Sequence, residues 1–342
     1  MKDKYILLDR DKTVNEDPGY LNDASKVKLL PDVISGLKLL KDFNFKFAII
    51  TNQSGLSRGL IKPDELEAVN NRILELLKEG GIFIEKIFVC PHQDEDNCGC
   101  RKPKDGLVKK ALQEIEFEPG RSYVVGDKFR DIVAAESLNI DGILVGKNEE
   151  TEFKKPANLI FQAKDMKEAA EFILQREFEK ENSRKIFFSY ADETFENYLR
   201  NLRNEKKTMV FTNGCFDILH PGHLQYLWQA SNLADVLVVG LNTDESVKKL
   251  KGQTRPVNNL KDRLLMLSNL SYVDAVVPFS EDTPVGILET VRPDIHVKGG
   301  DYIAEKLPEY TVVKKYGGRA VILPFRKGYS TTGILEKGNR RV

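Results

Sequence analysis

Short apolar runs, each closed by a polar cluster, recur along the first part of this 342-residue chain. Residues 5–8 read Tyr-Ile-Leu-Leu, 47–50 Phe-Ala-Ile-Ile, 87–89 Ile-Phe-Val and 123–125 Tyr-Val-Val. Runs so short and so apolar predict buried strands. Helical periodicity over 66–78 and 106–115 predicts helices between them. Strands alternating with helices predict a parallel sheet. Later, 207–211 predicts another short buried strand, and Pro221 suits the first turn of a helix after it. Between these regions, 166–207 is charged and helical in pattern, without Gly or Pro. Phe172, Ile173, Phe178, Phe187, Tyr190 and Tyr198 are its scattered apolar anchors, which predicts a solvated helical connector. The expected fold is α/β: two Rossmann-like domains with parallel sheets, 1–170 and 207–342, joined by a helical linker over 171–206.

Ligands bind parallel sheets at the C-terminal ends of the strands. Three predicted strands of the first domain deliver polar residues there: Asp9 and Asp11, then Thr51-Asn52-Gln53, then Gly126-Asp127-Lys128. Alone, Asp-x-Asp after a strand reads as a turn with solvated carboxylates. With the others in order it reads as phosphoryl chemistry. One Asp can attack phosphorus, splitting hydrolysis into two steps through an aspartyl-phosphate, while the other serves as acid and then base. Mg2+ favours carboxylate and water oxygens, and Asp127 can complete its site. Thr51 and Lys102 can hold the transferring phosphoryl oxygens.

Cys90, His92, Cys98 and Cys100 form a separate set. Three thiols and one imidazole suit tetrahedral zinc with no open position, hence a structural role bracing the loop that carries Arg101 and Lys102. Cysteine is normally buried, so these residues beside Gln93-Asp-Glu-Asp-Asn97 would be out of place without metal.

In the second half, Val210-Phe-Thr-Asn-Gly-Cys-Phe-Asp-Ile-Leu-His-Pro-Gly-His223 holds two of the four histidines. His220 and His223 lie on one face of a helix start, where N–H groups and imidazoles attract anions. A polyphosphate is the expected ligand. Trp228 reads as core, His296 as a strand residue and the Cys215 thiol as incidental.

Composition adds exclusions. Lys+Arg and Asp+Glu both number 52, which favours neither nucleic acid nor an acidic membrane as partner. No apolar run approaches the ~20 residues of a membrane span. The sequence enters its first apolar run almost at once, leaving no room for a signal peptide. Three cysteines within 90–100 point to metal binding in a reducing cytoplasm rather than to disulfides.

Two resemblances follow from these strings. Asp9-Arg-Asp-Lys-Thr13, Gly19-Tyr20, Thr51-Asn-Gln-Ser-Gly55, Cys100-Arg-Lys-Pro103 and Val125-Gly-Asp-Lys128 resemble the haloacid-dehalogenase phosphatases, in their histidinol-phosphatase and heptose-bisphosphate-phosphatase branch. The resemblance implies Asp9 as nucleophile, Asp11 as general acid/base, and Mg2+ held by Asp9, Asp11 and Asp127. It also implies substrate contacts from Asp17, Pro18, Gly19, Tyr20, Asn52, Gln53, Ser54, Arg101, Lys102 and Lys128. Lys12 departs from the family, which usually has Gly there. It is expected either to adopt a strained turn or to add charge near the phosphate.

Thr-Asn-Gly-x-Phe-Asp-x-Leu-His-x-Gly-His, followed by Leu250-Lys-Gly-Gln-Thr-Arg-Pro-Val257, Asp282-Thr-Pro284, Val297-Lys-Gly-Gly-Asp-Tyr302 and Ser330-Thr-Thr332, resembles the cytidylyltransferase-like nucleotidyltransferases. Within them it is similar to the adenylyltransferase domain of the ADP-heptose synthase family. This implies attack by a sugar 1-phosphate on the α-phosphorus of ATP, with Mg2+ at this site too. The implied nucleotide-binding residues are Thr212, Asn213, Gly214, Cys215, Phe216, His220, His223, Lys251, Arg255, Asp301, Ser330, Thr331 and Thr332. The implied partners are a sugar phosphate and a nucleoside triphosphate, with a homo-oligomer left open. Two other readings stay open: a non-catalytic, regulatory first domain, and the same chemistries on another sugar or polyol phosphate with CTP.

Overall fold

The computed structural model describes residues 2–147, 154–300, 303–324, 328–329, 331 and 333–335. It divides into two compact units, Met1–Glu177 and Phe178–Val342. The first holds six strands: β1 Lys4–Leu8, β2 Phe45–Asn52, β3 Ile84–Cys90, β4 Tyr123–Gly126, β5 Asp141–Val145 and β6 Leu159–Ala163. Their order is β3-β2-β1-β4-β5-β6, and every pairing is parallel. The predicted helices appear as Pro63–Glu79 and Gly106–Ile115.

Alternation along β1 explains its unbroken apolar run. Ile6 and Leu8 enter the core on one face of the sheet, and Tyr5 and Leu7 enter the core on the other. A strand covered on both sides needs apolar residues at successive positions. β1 lies between β2 and β4, where the direction of strand addition reverses, so a crevice opens at its C-terminal end. Asp9 is the next residue, and its N–H donates to the Val125 carbonyl at 2.8 Å.

The second unit repeats the design with five parallel strands: β7 Met209–Gly214, β8 Val236–Asn242, β9 Ala275–Phe279, β10 Ile295–Gly299 and β11 Arg319–Leu323, in the order β11-β10-β7-β8-β9. Val210 packs into one core, and Met209 and Phe211 into the other. The reversal point is now β7, whose end leads into the 215–220 loop.

Residues expected to form a solvated connector contribute to both units. Ile173, on the helix Met166–Ser183, is buried in the first core. Phe195 and Leu199, on the helix Glu193–Asn204, are buried in the second. The segment between those helices pairs with the edge of β9: Val276 N–H donates to Lys185 O at 2.8 Å and Phe187 N–H to Val276 O at 2.9 Å. Trp228, expected in the core, is 55% exposed on the helix Pro221–Ser231. That helix buries Tyr226, Leu227 and Ala230 instead, so its inward stripe passes Trp228 by.

Candidate active sites

At the crevice of the first sheet, Asp9, Asp127 and Asp131 bring carboxylate oxygens within 4.8 Å of one another. Lys102 is buried among them. Its Nζ lies 2.5 Å from Asp9 Oδ1 and 2.7 Å from Asp131 Oδ1, and it also donates to the Ile50 carbonyl at 2.8 Å. Burial alone would lower the Lys102 pKa, but Asp131 and Asp9 outweigh it and hold the ammonium charged. Burial pushes Asp9 well above the usual carboxylate range; Lys102 opposes, while Asp131, Asp127 and Asp11 add repulsion. Asp127 is pushed up to about 6 by burial and then by Asp131.

Main-chain pinning places Lys102. Asn52, the last residue of β2, donates from Nδ2 to Lys102 O at 3.0 Å and accepts from Lys102 N–H at 3.1 Å. Asp131 is fixed by the start of the helix Phe129–Val133, where its Oδ2 accepts from Lys128 N–H at 3.0 Å. Gly126 makes room for it, since a Cβ there would fall 2.5 Å from Asp131 Cβ.

Asp131, rather than Asp11, supplies the third side-chain carboxylate of the cluster. The Asp11 carboxylate is turned to a fork from Arg10 at 3.0 Å on each oxygen, to Asn15 at 3.1 Å and to Gln53 at 2.7 Å. A cavity of about 260 Å³ joins this cluster to Asp17, Gly19, Tyr20, Asn52, Gln53, Ser54, Arg101 and Lys128. Lys12 and Arg130 also line it, and Lys12 adopts φ +59°, the left-handed turn a glycine would take. Thr51 and Pro18 are not in its wall. Thr51 is buried and accepts from Gln53 Nε2 at 2.9 Å, while Pro18 is exposed. Arg101 is anchored through two bonds to Asp94, at 2.7 and 3.1 Å.

The four predicted ligands of the cysteine loop converge. Cys100 Sγ lies 3.3 Å from Cys90 Sγ, 3.4 Å from Cys98 Sγ and 3.4 Å from His92 Nδ1. Cys90 lies 3.7 Å from both Cys98 Sγ and His92 Nδ1. A tetrahedron with Zn–S bonds of about 2.3 Å has edges of roughly 3.7 Å. The four donors therefore already stand near the corners of a metal site.

In the second unit a cavity of about 840 Å³ opens at the end of β7. Asn213, Gly214, Cys215, Phe216, His220, His223, Lys251, Arg255 and Thr331 line it. Thr212 lies behind, fully buried, its hydroxyl 2.6 Å from that of Tyr226. Asp301, Ser330 and Thr332 lie outside the described residues. His220 caps the helix Pro221–Ser231: its Nδ1 accepts from His223 N–H at 3.2 Å, so its own proton sits on Nε2. The two imidazoles stack with centroids 3.8 Å apart. Burial pushes His220 down, and burial followed by His220 pushes His223 down to about 4. Burial thus disfavours the charged form of both rings.

Two charged residues that sequence reasoning passed over organise this cavity. Asp217 holds the Arg255 guanidinium through Nε and accepts from Val257 N–H at 2.7 Å and Asn258 N–H at 3.0 Å. Arg255, expected among the nucleotide-binding residues, is therefore partly committed to protein. Arg263 is fully buried and binds Cys215 O at 2.7 Å, Asn242 O at 2.8 Å and Asp244 at 2.7 Å, bolting the β7 loop to the end of β8. An arginine beside Leu264 and Leu267 on the inward face of its helix was the available signal. For Asp131 it was the spacing of four from Asp127 at a helix start.

The chain therefore carries two α/β domains with parallel sheets, the first haloacid-dehalogenase-like and the second cytidylyltransferase-like. Residues 99–169 match the HAD-hydrolase-like family, and residues 211–337 the cytidylyltransferase-like family. The bifunctional protein HldE of Nitrosococcus oceani is 47% identical over 146 residues, which are 43% of this chain and 31% of that protein. HldE of a Marinomonas species is 51% identical over 141 residues, 41% of this chain and 29% of that protein. The matched part is thus about three-tenths of the length of these curated relatives. Among solved structures, D,D-heptose 1,7-bisphosphate phosphatase from B. bronchiseptica, complexed with magnesium and phosphate, is 29% identical over 51% of this chain and 99% of its own, with a TM-score of 0.47.

Proposed function

We propose that the chain is a bifunctional enzyme of ADP-heptose biosynthesis. The first domain hydrolyses D-glycero-D-manno-heptose 1,7-bisphosphate to the 1-phosphate, and the second transfers AMP from ATP to that product, releasing pyrophosphate. The observation that carries the reading is the buried Lys102 ammonium shared between Asp9 and Asp131 at the reversal point of the first sheet. The sugar and the nucleotide rest on the motif resemblances.

The carboxylates of Asp9, Asp127 and Asp131 form an all-oxygen donor set that fits Mg2+. A cation held there would shield the phosphate charge from the attacking carboxylate. Asp9 attacks phosphorus, the bond from phosphorus to the sugar oxygen breaks, and Asp11 gives that oxygen a proton. Asp11 then takes a proton from water, which attacks the aspartyl-phosphate, releasing phosphate and restoring Asp9. Lys102 fixes the orientation of Asp9 and balances charge as it builds on the phosphoryl oxygens. Cys90, His92, Cys98 and Cys100 would hold a structural zinc that braces the approach to Lys102. Three cysteines kept for metal suit a reducing, cytoplasmic setting.

In the second domain the sugar 1-phosphate oxygen attacks the α-phosphorus and pyrophosphate leaves, with no covalent enzyme intermediate. His220 Nε2–H and His223 donate to triphosphate oxygens, and Lys251 adds charge. Among the described residues no acidic cluster like that of the first site lies here, so Mg2+ would arrive with the nucleotide. Lys12 takes the turn expected of a glycine with the Asp9–Lys102–Asp131 set in place beside it, which favours a catalytic first domain over a regulatory one.

The test is mass spectrometry of products from the bisphosphate, Mg2+ and each nucleoside triphosphate. Heptose 1-phosphate and then ADP-heptose are expected. Asp9→Asn should stop phosphate release while transfer to supplied heptose 1-phosphate continues, and His223→Ala should do the reverse. Loss of both activities in either variant contradicts independent sites.

A further inference from the structure

The second cavity holds a carboxylate that no step above uses. Glu309 is the second residue of the helix Pro308–Lys315 and lines the cavity, yet it is only 4% exposed. Its Oε1 lies 3.2 Å from Lys298 Nζ, and Lys298 also donates to Asn213 Oδ1 at 3.1 Å. Its Oε2 is buried and has no hydrogen-bond partner among the described residues. A buried carboxylate oxygen without a donor is costly, and one that faces a cavity calls for a partner from a ligand or water.

Charge decides what can approach. Lys298 could have served as another phosphate-binding cation, but Glu309 neutralises it and places an acceptor beside it. A phosphate would be repelled by that oxygen. A hydroxyl would satisfy it, and a charge-assisted hydrogen bond of this kind strongly favours ligands that have the hydroxyl. The wall around Lys298 and Glu309 therefore suits the uncharged part of a ligand whose phosphates lie against His220 and His223.

We infer that Glu309 is a specificity residue whose Oε2 accepts a hydrogen bond from a sugar hydroxyl of a ligand in this cavity. Lys298 positions it through Oε1. The inference rests on the nucleotidyltransferase reading, and two sources share the chemistry: the ribose of the nucleotide and the sugar of the acceptor phosphate.

Calorimetric binding to the full chain tests it without requiring turnover. One arm compares ATP with 2′-deoxyATP and 3′-deoxyATP; the other compares a sugar 1-phosphate with its monodeoxy analogues. Wild type and Glu309→Gln are measured in each. In one arm, removing a single ligand hydroxyl should weaken wild-type binding about tenfold, Glu309→Gln should weaken the parent ligand by a similar factor, and the two losses should not multiply. The arm that behaves so identifies the sugar. Unchanged binding of every ligand by Glu309→Gln, or losses that multiply in both arms, overturns the inference. Thermal unfolding of the variant guards against misfolding, and Glu309→Asp, which keeps the charge but shortens the reach, should restore less than half of the lost affinity. Absence of pyrophosphate release by wild type would count against the proposed reaction while leaving this binding result to stand or fall by itself.

Discussion

Lys12→Gly isolates a backbone effect. Lys12 stands directly after Asp11 in the loop that follows β1, at φ +59°. A left-handed conformation costs an ordinary L-residue about 1–2 kcal/mol. Glycine loses more chain entropy on folding, about 0.5–1 kcal/mol, which offsets part of the gain. The net expectation is a first unit more stable by about 1 kcal/mol, or a Tm higher by roughly 2–4 °C. Lys12→Ala is the matched control, because it removes the ammonium but keeps the unfavourable φ. Differential scanning calorimetry of the full chain compares the three proteins. If Lys12→Gly melts no higher than Lys12→Ala, the strain assigned to this turn is not there. Both variants also lose a positive charge from the cavity wall, so KM for an anionic phosphate ester should rise in both alike.

Asp131→Asn should lower phosphate release at least 100-fold and weaken Mg2+ activation, leaving nucleotidyl transfer intact; a kinetic Mg2+ titration checks this. Metal analysis should find about one zinc per chain, lost in Cys100→Ser together with thermal stability, and a metal-free protein of normal stability would sink the zinc site. The second unit should be acid-sensitive for a defined reason. Burial holds His223 and His296 down at about 4, whereas unfolded imidazoles titrate near 6.5. Between those values the unfolded chain binds more protons, so stability falls as the pH falls through that window, by on the order of 3 kcal/mol per histidine. Urea unfolding followed by Trp228, the single tryptophan, should show this slope, and His296→Leu should flatten it in part; an unaltered slope would refute the assignment.

The strands were legible because sheets covered on both faces demand unbroken apolar runs, and 5–8 and 123–125 have few other uses. The polar residues beyond them were legible for the same reason, since a reversal in strand order opens a crevice at those ends. The four zinc-type ligands were legible from residue type alone. Asp131 was missed because it arrives on the helix after β4 rather than on a strand end. Arg263 was missed because only the folded chain reveals that the β7 loop and the end of β8 turn their carbonyls to one point. Trp228 misled because size suggests burial, whereas the turn of its helix decides which residues face inward. Arg255 illustrates a further limit: sequence supplies a cation near a phosphate site but not the Asp217 that claims it first.

The region between the domains bears on how the molecule could be taken apart. Its charge pattern invites a cut at either end, as if it were a tether. Ending a first half at residue 170 would remove Ile173 from a finished core. Beginning a second half at 207 would remove Phe195 and Leu199, along with the strand-like stretch that covers the edge of β9. Each fragment would then expose an apolar hollow, and the second an open sheet edge, the features that drive unwanted association. A division at 177/178, inside the helix Met166–Ser183, leaves both interiors whole, so the point at which a rearranged chain could be broken lies within what its charge pattern presents as a tether.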